Sequence, residues 1–448
     1  MKHRVILALG SNLGNRVGNL RRAIQRLAPQ VDVLSASPVY ETDPWGYVDQ
    51  PAFLNQCLLA ETNLPPLELL DHLKGIEAAL GRTPGFRFGP RLIDLDILFY
   101  DHLVLDDPAL QIPHPQLHQR AFVLAPLRDL APDYTHPVLG QSVAQLASAV
   151  GESGVRPYRR LHFGAQTLIM GILNLTPDSF SGDGLLQAAD PLEAALQQAR
   201  AFVEAGAHIL DLGGESTRPG SQPVSAEDEL ARVLPVVRAL AGEISAVISV
   251  DTYKARVAEE ALLAGADWIN DVWGLRADPA LGKVAARYGV PIVLMHNRSQ
   301  PAHAELQERL GGRYVGMHYE DLLGEVKAEL MESVALAREA GVRDEQIILD
   351  PGIGFGKTVE QNLELINRLD EIRALGFPLL LGVSRKSFIG YTLNLPPAER
   401  LPGTAAACVV GILRGADILR VHDVAFIAQV ARMTDAIRRA RGAENVVK

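Results

Sequence analysis

The feature that most constrains the fold is one unit that recurs eight times after residue 168: an apolar strand, a polar loop and a helix. The first strand, Leu168–Leu173, contains only apolar residues and glycine, which is typical of a strand covered on both faces of a parallel sheet. Asn174 then opens a polar, proline-containing loop that cannot continue the strand. Eight such units in one region predict a closed (β/α)8 TIM barrel rather than an open doubly wound sheet.

The predicted barrel strands are Leu168–Leu173, His208–Leu212, Ala246–Val250, Trp268–Asn270, Pro291–Met295, Gln346–Leu349, Pro378–Val383 and Asp417–Val421. The predicted helices include Pro191–Ala205, Ala226–Leu240, Lys254–Ala264, Asp321–Ala340, Asn362–Ala374 and Val424–Ala440.

The residues before about 155 have a different pattern and predict a separate α+β domain. Their strands and helices fit helices on one face of a mostly antiparallel sheet, whereas residues 108–137 are rich in proline and leave the topology open. The predicted strands are Val5–Leu9, Val31–Val39, Phe53–Glu61 and Leu92–Tyr100, and the predicted helices are Asn19–Leu27 and Pro66–Leu80. Residues 151–165 have linker chemistry, so we expect domains at 1–155 and 156–448.

Bulk composition excludes several classes of protein. The chain has 448 residues, 48% of them hydrophobic, which favours large folded cores over disorder. No apolar run is long enough for a membrane span, and we expect no secretory or transit segment. A net charge of −10 disfavours nucleic-acid binding. Cys57 and Cys408 lack metal or redox spacing, so we expect free buried thiols in a cytoplasmic protein without nucleic-acid or membrane partners.

Two carboxylates in the first domain are candidate metal ligands. Side chains alternate along a strand, so Asp94 and Asp96 lie on one face and Leu95 on the other. Two adjacent carboxylates repel each other unless a cation lies between them, and Mg²⁺ binds one or two carboxylates together with phosphate oxygens. The spacing alone leaves a solvated strand face equally open.

Sequence motifs around this pair resemble 6-hydroxymethyl-dihydropterin pyrophosphokinase, a ferredoxin-like folate-pathway enzyme that transfers diphosphate from ATP to a pterin alcohol. The matching stretches are Ala8–Gly14, Tyr40–Pro44, Gln50–Asn55, Ile76–Glu77, Gly81–Arg82, Gly89–Leu98, Pro113–His114 and Arg120–Phe122. The chain departs from the family pattern at Phe88, Pro115 and Thr83–Pro84.

The resemblance implies three groups of functional residues in this domain. Two Mg²⁺ ions would be bound by Asp94 and Asp96. ATP would be bound by Glu77, Arg82, Arg91, His114 and Arg120. The pterin would be bound by Thr42, Phe53, Asn55 and Phe122. Aromatic faces suit a flat heterocycle, and phosphoryl-type transfer depends mainly on positioning and charge neutralisation.

Polar residues follow nearly every predicted barrel strand. They include Asn174, Asp211, Asp251, Asn270, His296, Asp350, Ser384 and Arg420. TIM barrels build their sites at the C-terminal ends of the strands, so one shared pocket explains this register better than eight separate helix caps. Gly352–Thr358 is similar to a P-loop, but Pro351 occupies the position of the first required glycine, which excludes that reading.

The barrel half resembles dihydropteroate synthase, which condenses the pterin diphosphate with p-aminobenzoate. The matching stretches are Met170–Gly184, Asp211–Gly220, Asp350–Lys357, Ser384–Ser387 and Arg420–Asp423. The resemblance implies that the pterin is bound by Asp251, Asn270, Asp350 and Lys386. Diphosphate would be handled by Asn174, Arg218, Arg420 and His422, with one Mg²⁺ at Asn174. The p-aminobenzoate site would be lined by Thr217, Pro219, Phe355 and Ser387.

The two resemblances together imply a bifunctional enzyme of folate synthesis that uses ATP and forms a homodimer through its barrel. One alternative for the barrel is a pterin-dependent methyl carrier, which Ser216–Pro219 and Ser384–Ser387 argue against because they supply anion contacts. A second alternative is an inactive kinase-like assembly module, which the intact Asp94, Asp96, His114 and Arg120 argue against.

Overall fold

The computed structural model describes residues 2–82, 89–159, 161–176, 190–216 and 222–440, which form two compact units. The first unit comprises residues 1–160, 283–290 and 340–342, and the second comprises the remaining residues. No helix in these ranges is both long and apolar enough to cross a lipid bilayer.

The first unit is built on a six-stranded antiparallel sheet. Its central strand pair, β1 and β4, is joined by β5 on one side and by β3 and β8 on the other, and β2 also pairs with β4. The strands of this unit are β1 (His3–Ser11), β2 (Val31–Ala36), β3 (Tyr40–Thr42), β4 (Phe53–Thr62), β5 (Asp94–Tyr100), β6 (Leu105–Asp106), β7 (Gln111–Ile112) and β8 (Val155–Pro157). Its helices are α1 (Arg16–Leu27), α2 (Pro66–Ala79), α3 (Ala121–Leu130) and α4 (Val143–Val150).

Helices cover both faces of this sheet, so the expectation of helices on one face is wrong. One face packs α3 and α4 against Ile6, Cys57 and Leu98. The other face is also buried, since Val5 and Leu7 are fully buried on β1, which contacts α1, while α2 packs on β5. The α3 helix lies in the segment 108–137, whose topology the sequence left open, and Pro126 lies inside it.

The second unit is a parallel eight-stranded barrel, as predicted. The paired strands are β9 (Leu168–Asn174), β10 (Ile209–Gly213), β11 (Val247–Asp251), β12 (Trp268–Asp271), β13 (Ile292–Met295), β16 (Ile347–Asp350), β17 (Leu380–Leu381) and β18 (Ile418–Val421). A parallel bridge between Leu349 and Leu379 joins the two ends of the sheet and nearly closes the barrel. A hairpin of β14 (Ala304–Gln307) and β15 (Gly311–Tyr314), which the sequence did not predict, follows β13.

The barrel helices mostly follow the predicted segments. They are α5 (Pro191–Glu204), α6 (Ala226–Leu240), α7 (Ala255–Ala264), α8 (Ala280–Tyr288), α9 (Leu322–Glu339), α10 (Val359–Asn367), α11 (Leu369–Arg373), α12 (Ser387–Leu393), α13 (Leu401–Leu413) and α14 (Val424–Arg439). The single helix predicted over 362–374 is two helices, because Arg368 leaves the helical region with φ −114° and ψ 26°.

Each of the eight barrel strands contributes at least one apolar side chain to a common buried core. These residues are Leu168, Met170, Ile209, Val247, Trp268, Val293, Ile348, Leu380 and Ile418, with two contributed by β9. Such layers make the barrel a packed core, so its chemistry is built from the residues beyond the layer, at the C-terminal strand ends.

Candidate active sites in the two units

The first unit contains a cavity bounded by β1, β4, β5 and the segment around His114. Nine of the eleven residues that the pyrophosphokinase resemblance assigns to substrate, nucleotide or metal binding line this cavity. Eight of them are Thr42, Phe53, Asn55, Arg91, Asp94, Asp96, His114 and Arg120. Phe122 lines it as well, whereas Arg82 and Glu77 are not among its described lining residues. The cavity thus joins residues that are up to 80 positions apart in the chain.

Asp94 and Asp96 lie on the same face of β5, as the alternation predicted. Both are half-buried, and Leu95 and Ile97 between and beyond them are buried. Asp94 forms ion pairs with Arg91 and with Arg82, the latter over 2.8 Å. Burial and, to a lesser extent, the charge of Asp94 raise the pKa of Asp96 to about 6. This strain on the charged pair is what a bound cation would relieve.

Glu77 lies behind this pair and organises it. Its carboxylate is buried, accepts the backbone N–H of Leu95 over 2.7 Å, and pairs with Lys74 over 2.8 Å and with Arg82. Arg82 therefore bridges Glu77 and Asp94. The predicted contact of Glu77 with ATP stays a prediction, and its visible contacts fix the start of β5 and the orientation of Arg82.

The residues predicted for the pterin meet across β3 and β4. Thr42 lies opposite Phe53 in the strand register, and the Asn55 side-chain amide donates to the Thr42 hydroxyl over 2.7 Å. Gly10 on β1 borders the same space, because a Cβ there would come within 3.1 Å of the Asn55 amide oxygen. A side chain at Gly10 would therefore displace Asn55, which is predicted to bond to the edge of the pterin ring. This contact explains the glycine, which the motif alone did not.

Two further residues, Trp45 in the cavity lining and Asn12 beside its residue Arg91, were not predicted as site residues. The Trp45 ring packs edge-on against Phe122, with centroids 6.0 Å apart, and lines the cavity. Asn12 accepts the backbone N–H of Arg91 over 2.7 Å and donates to the Gln50 side chain over 3.0 Å. It thereby connects the loop after β1 to the cation that pairs with Asp94. Asn12 lies inside a quoted motif, which was the available signal.

His114 and Arg120 form the cationic side of the cavity. The Arg120 guanidinium lies 5.5 Å from the centre of the Phe122 ring. Burial, with a further contribution from Arg120, lowers the pKa of His114 to about 4. His114 is therefore neutral near pH 7 in the absence of an anion and can take a proton when phosphate charge enters.

The second unit contains a cavity at the C-terminal ends of its strands. The predicted residues that line it are Asn174, Asp251, Phe355, Lys386, Ser387, Arg420 and His422. Asn270 and Asp350 are buried and are not among the described lining residues. Asn270 is linked to the lining residues by a hydrogen-bond network, and Asp350 interacts with them through charge. Thr217, Arg218 and Pro219 lie outside the described residues.

Arg420 forms the centre of a buried charge network. Its Nε donates to Asp211 Oδ2 and its Nη2 donates to Asp251 Oδ2, both over 2.6 Å. The Asn270 amide donates to the same Asp211 oxygen over 2.9 Å. Burial raises the pKa of Asp251 to about 7, although Arg420 opposes this shift. The network joins four strands, β10, β11, β12 and β18, in one arrangement, and the bridging role of Asp211 and Arg420 was not predicted.

Asp350 and Lys386 lie on the adjacent side of the barrel. Asp350 Oδ1 accepts the backbone N–H of Gly352 over 2.7 Å, and burial raises its pKa while the charge of Lys386 lowers it. The Lys386 ammonium donates to the Ile353 carbonyl and lies 4.7 Å from the centre of the Phe355 ring. A carboxylate, an ammonium and an aromatic face are therefore adjacent.

A buried lysine, Lys357, supports this loop and was not predicted as a site residue. Its ammonium donates to His296 Nδ1 over 2.9 Å and to the carbonyls of Gly352 and Phe355 over 3.0 Å each. Burial lowers the pKa of Lys357 to about 7, against the raising effect of Asp350. The three bonds hold the loop that carries Phe355, and the available signal was a charged residue closing a glycine-rich run.

The remaining predicted residues lie at the other end of the cavity. His422 is held by Ser384, whose hydroxyl accepts the His422 backbone N–H over 3.2 Å and lies 3.0 Å from its Nδ1. The buried Nδ2 of Asn174 has no hydrogen-bond partner among the described residues. An unpaired buried N–H donor is costly, so a ligand oxygen at this position would stabilise the site.

The side chains at the two cavities are suited to bind Mg²⁺ only when phosphate oxygens supply further ligands. The described residues contain no group of three or more histidine, cysteine, aspartate or glutamate side chains arranged to hold a metal ion. Asp94 and Asp96 supply two carboxylates at the cavity, which is the protein contribution that Mg²⁺ uses when phosphates complete its ligands. Asn174 supplies one amide at the second site, a weaker donor set.

The fold and the two cavities define a two-domain enzyme that binds flat heterocycles beside phosphate-binding groups. The family model described as 7,8-dihydro-6-hydroxymethylpterin-pyrophosphokinase matches residues 6–132, and the model described as pterin binding enzyme matches residues 170–422. The chain belongs to the pterin-binding enzyme family, and its two domains are those of the bifunctional enzymes of folate synthesis.

Comparison with individual relatives supports this assignment. The chain is 40% identical over 475 residues to the mitochondrial folate synthesis bifunctional protein of Arabidopsis thaliana, with 98% of this chain and 84% of that protein covered. It is 39% identical over 452 residues to the folic acid synthesis protein of Pneumocystis carinii, covering 97% of this chain but only 60% of that protein. The Clostridium difficile dihydropteroate synthase structure obtained with pteroic acid is 47% identical, covers 63% of this chain and all of that one, and has a TM-score of 0.56.

Proposed function

We propose that this chain catalyses two consecutive reactions of folate synthesis. The first unit transfers diphosphate from ATP to 6-hydroxymethyl-7,8-dihydropterin and releases AMP. The second unit condenses the resulting pterin diphosphate with p-aminobenzoate, giving 7,8-dihydropteroate and diphosphate. The observation that carries the proposal is that each unit gathers its own set of predicted residues around one cavity.

In the first reaction the pterin lies between Phe53 and Phe122, and its polar edge bonds to Thr42 and Asn55. The paired Thr42 and Asn55 side chains are already ordered by their 2.7 Å hydrogen bond, so the ring is oriented with little further loss of entropy. The pterin hydroxyl attacks the β-phosphorus of ATP, and AMP departs.

The cationic side chains stabilise the charge that develops on the phosphates. Arg91, Arg120 and His114 line the cavity, and Arg82 adjoins it through Asp94. Asp94 and Asp96 would hold the two Mg²⁺ ions, which supply charge neutralisation to the triphosphate when bound. Release of Asp94 from its present partners would free Arg82 and Arg91 for phosphate.

In the second reaction buried carboxylates bind the pterin and oppose the positive charge on its methylene carbon. Asp350 accepts the parallel N–H groups of the amino-amidine edge, and Asp251 and Asn270 contact the remaining ring atoms. The C–O bond to the diphosphate breaks as the p-aminobenzoate nitrogen bonds to the methylene carbon. The aniline nitrogen is neutral near pH 7, so positioning by Phe355 and Ser387 matters more than a strong base.

The leaving diphosphate interacts with the other end of the cavity. Asn174, Arg420 and His422 lie there, and the unpartnered Asn174 N–H suits an anionic oxygen. Arg218, Thr217 and Pro219 complete the diphosphate and p-aminobenzoate sites. A Mg²⁺ ion at Asn174 would add charge neutralisation when bound.

We also propose that the chain forms a homodimer through its last two helices. Five large apolar side chains on α13 and α14 are exposed in the single chain: Val410, Leu413, Phe426, Met433 and Ile437. Such a concentration of exposed apolar residues on adjacent helices is typical of an interface. A second copy presenting the same helices would bury it with two-fold symmetry, and light scattering of the pure chain should give twice the mass of 48.5 kDa.

A reducing compartment, the cytoplasm, is the proposed place of action. Cys57 and Cys408 are buried free thiols, and burial raises the pKa of the Cys408 thiol to about 12, so both are chemically inert. Subcellular fractionation of cells that express the full chain tests this placement.

The proposed function is tested by incubating the pure chain with pterin alcohol, ATP, Mg²⁺ and p-aminobenzoate. We expect dihydropteroate and AMP in equal amounts. Omitting p-aminobenzoate should leave AMP and pterin diphosphate, and omitting ATP should leave no product. Formation of ADP instead of AMP, or absence of dihydropteroate, would contradict the proposal.

A further inference from the structure

A hairpin between β13 and α9 borders the second cavity and has no role in the reactions described so far. Its strands pair in the register Ala304 with Tyr314 and Leu306 with Gly312. The insertion point lies after the C-terminal end of a barrel strand, the side on which such barrels build their sites. The hairpin is therefore positioned to contact whatever enters the cavity.

The hairpin is fixed to the helix that begins at Ser387. The Tyr391 hydroxyl on α12 donates to the Gly311 carbonyl over 3.3 Å, and the Arg313 guanidinium lies 4.6 Å from the centre of the Tyr391 ring. Arg309 donates to the backbone carbonyl of Asn394, just past the end of α12, over 3.1 Å. These contacts join the hairpin to the helix that carries Ser387.

A buried arginine adds a second connection. Arg400 is 2% exposed and donates to the Leu310 carbonyl over 3.0 Å. The same guanidinium donates to the Arg385 carbonyl over 2.9 Å, next to Lys386 in the cavity wall. Movement of the hairpin would leave Arg400 with unpaired N–H groups in a buried position, which is unfavourable.

The hairpin presents one large apolar side chain at the cavity. Leu306 lines the cavity together with Gly311, Gly312, Phe355 and Ser387, yet its side chain is 67% exposed. Gly312, its partner across the hairpin, has no side chain to cover it. An exposed leucine on an immobilised wall beside Phe355 and Ser387 can still bury apolar surface against an aromatic ligand.

We propose that the β14–β15 hairpin forms the outer wall of the p-aminobenzoate site and that Leu306 contacts the acceptor ring and strengthens acceptor binding. The inference rests on the proposed condensation reaction and adds a specificity-determining residue to it. Leu306 should act on acceptor affinity, since it lines the cavity together with Phe355 and Ser387, which are assigned to p-aminobenzoate, and has no part in the assigned pterin or diphosphate contacts.

The test is steady-state kinetics of the condensation by the full chain with supplied pterin diphosphate. Leu306→Ala should raise KM for p-aminobenzoate about threefold or more, with kcat and KM for pterin diphosphate unchanged. Leu306→Met, which keeps an apolar side chain of similar volume, should restore the KM of the parent chain. The matched control is Leu393→Ala, since Leu393 is 48% exposed on α12 and is not among the described lining residues.

An unchanged KM for p-aminobenzoate in Leu306→Ala would overturn the inference. An equal rise of this KM in Leu393→Ala would also overturn it. So would a fall in kcat together with a rise in both KM values in Leu306→Ala, since either outcome would mean a general disturbance of the fold. If the parent chain itself makes no dihydropteroate, the proposed function fails. If the parent is active and only the Leu306 series is silent, the hairpin inference alone fails.

Discussion

The carboxylates of the two cavities differ in how they are paired with cations. In the first unit Asp94 and Asp96 are half-buried on an open strand face, and the cations around them come from loops. In the barrel Asp211 and Asp251 are joined by the same guanidinium, that of Arg420, and Asp350 lies near Lys386. The first arrangement suits a highly charged nucleotide that brings cations with it. In the second, one guanidinium already pairs with two buried carboxylates, which suits the uncharged pterin ring of the substrate.

The local pKa values express the same contrast. Burial raises the pKa of Asp96 to about 6 and that of Asp251 to about 7. Asp251 has Arg420 in direct contact as compensation, whereas Lys74 and Arg120 act on Asp96 only through longer-range charge. The difference teaches that Asp96 has no direct ion pair among the described residues, whereas Asp251 has one from its own chain.

The largest expected effect separates the two sites completely. Asp96→Ala removes one of the two carboxylates at the first cavity, and we expect at least about a thousandfold loss of diphosphate transfer, because phosphoryl transfer depends on charge neutralisation. Condensation of supplied pterin diphosphate should stay within twofold of the parent chain. Both rates are measured on the same preparation by product chromatography, and loss of both would contradict separable sites.

The reciprocal change lies in the barrel. Asp350→Asn keeps the shape but loses the charge that accepts the pterin N–H groups, and we expect a cost of about 2–4 kcal/mol in transition-state stabilisation. The value of kcat/KM for pterin diphosphate should fall accordingly, while AMP formation by the first unit is unaffected. Near-normal condensation kinetics would remove Asp350 from the pterin site.

Burial of Lys357, which supports the loop that carries Phe355, should make the free energy of unfolding of the chain depend on pH. The pKa of Lys357 is about 7 in the folded chain against a usual 10.5, so the unfolded chain binds more protons between these values. The contribution of this lysine to stability therefore rises with pH from about 7 to 10.5, by up to about 1.4 kcal/mol per pH unit.

Lys357→Met should remove this slope. Urea unfolding of the full chain at pH 7.5 and 9.5 should show the parent gaining stability relative to Lys357→Met at the higher pH. The control is Lys327→Met, at a partly exposed lysine on α9. A constant difference between parent and Lys357→Met at both pH values would count against the buried-lysine account.

The smallest expected effect on catalysis concerns the apolar face of α13 and α14. Leu413→Asp places a charge on a 57% exposed leucine of the proposed dimer interface. Light scattering should then report a monomer, with both kcat values within twofold of the parent, since the two cavities are built within one chain. An unchanged dimer would place the interface elsewhere.

The barrel and its site register could be predicted because buried parallel strands are unbroken apolar runs. Each run ends where a polar residue begins, so Asn174, Asp251 and Asp350 could be assigned to strand ends without coordinates. The α3 helix could not be predicted, because Pro126 lies inside it and proline argues against helix interiors.

Contacts between residues that are far apart in the chain could not be predicted from the sequence. Arg420 and Asp211 are 209 positions apart, and only the closed barrel brings them to 2.6 Å. Lys357 seemed part of a glycine-rich loop, and its burial depends on packing against His296 from another strand end. The β14–β15 hairpin has strands of only 4 residues each, and β15 begins with two glycines, so the sequence contained no run long enough to mark it.

The central claim is that two separate pterin sites act in sequence within one chain, and mixing two variants tests it most directly. Asp96→Ala and Asp350→Asn are each incubated with pterin alcohol, ATP, Mg²⁺ and p-aminobenzoate, alone and together. We expect no dihydropteroate from Asp96→Ala, only slow formation with accumulating pterin diphosphate from Asp350→Asn, and rapid formation from the mixture. A mixture no faster than Asp350→Asn alone, with each variant keeping its other half-reaction, would contradict the account.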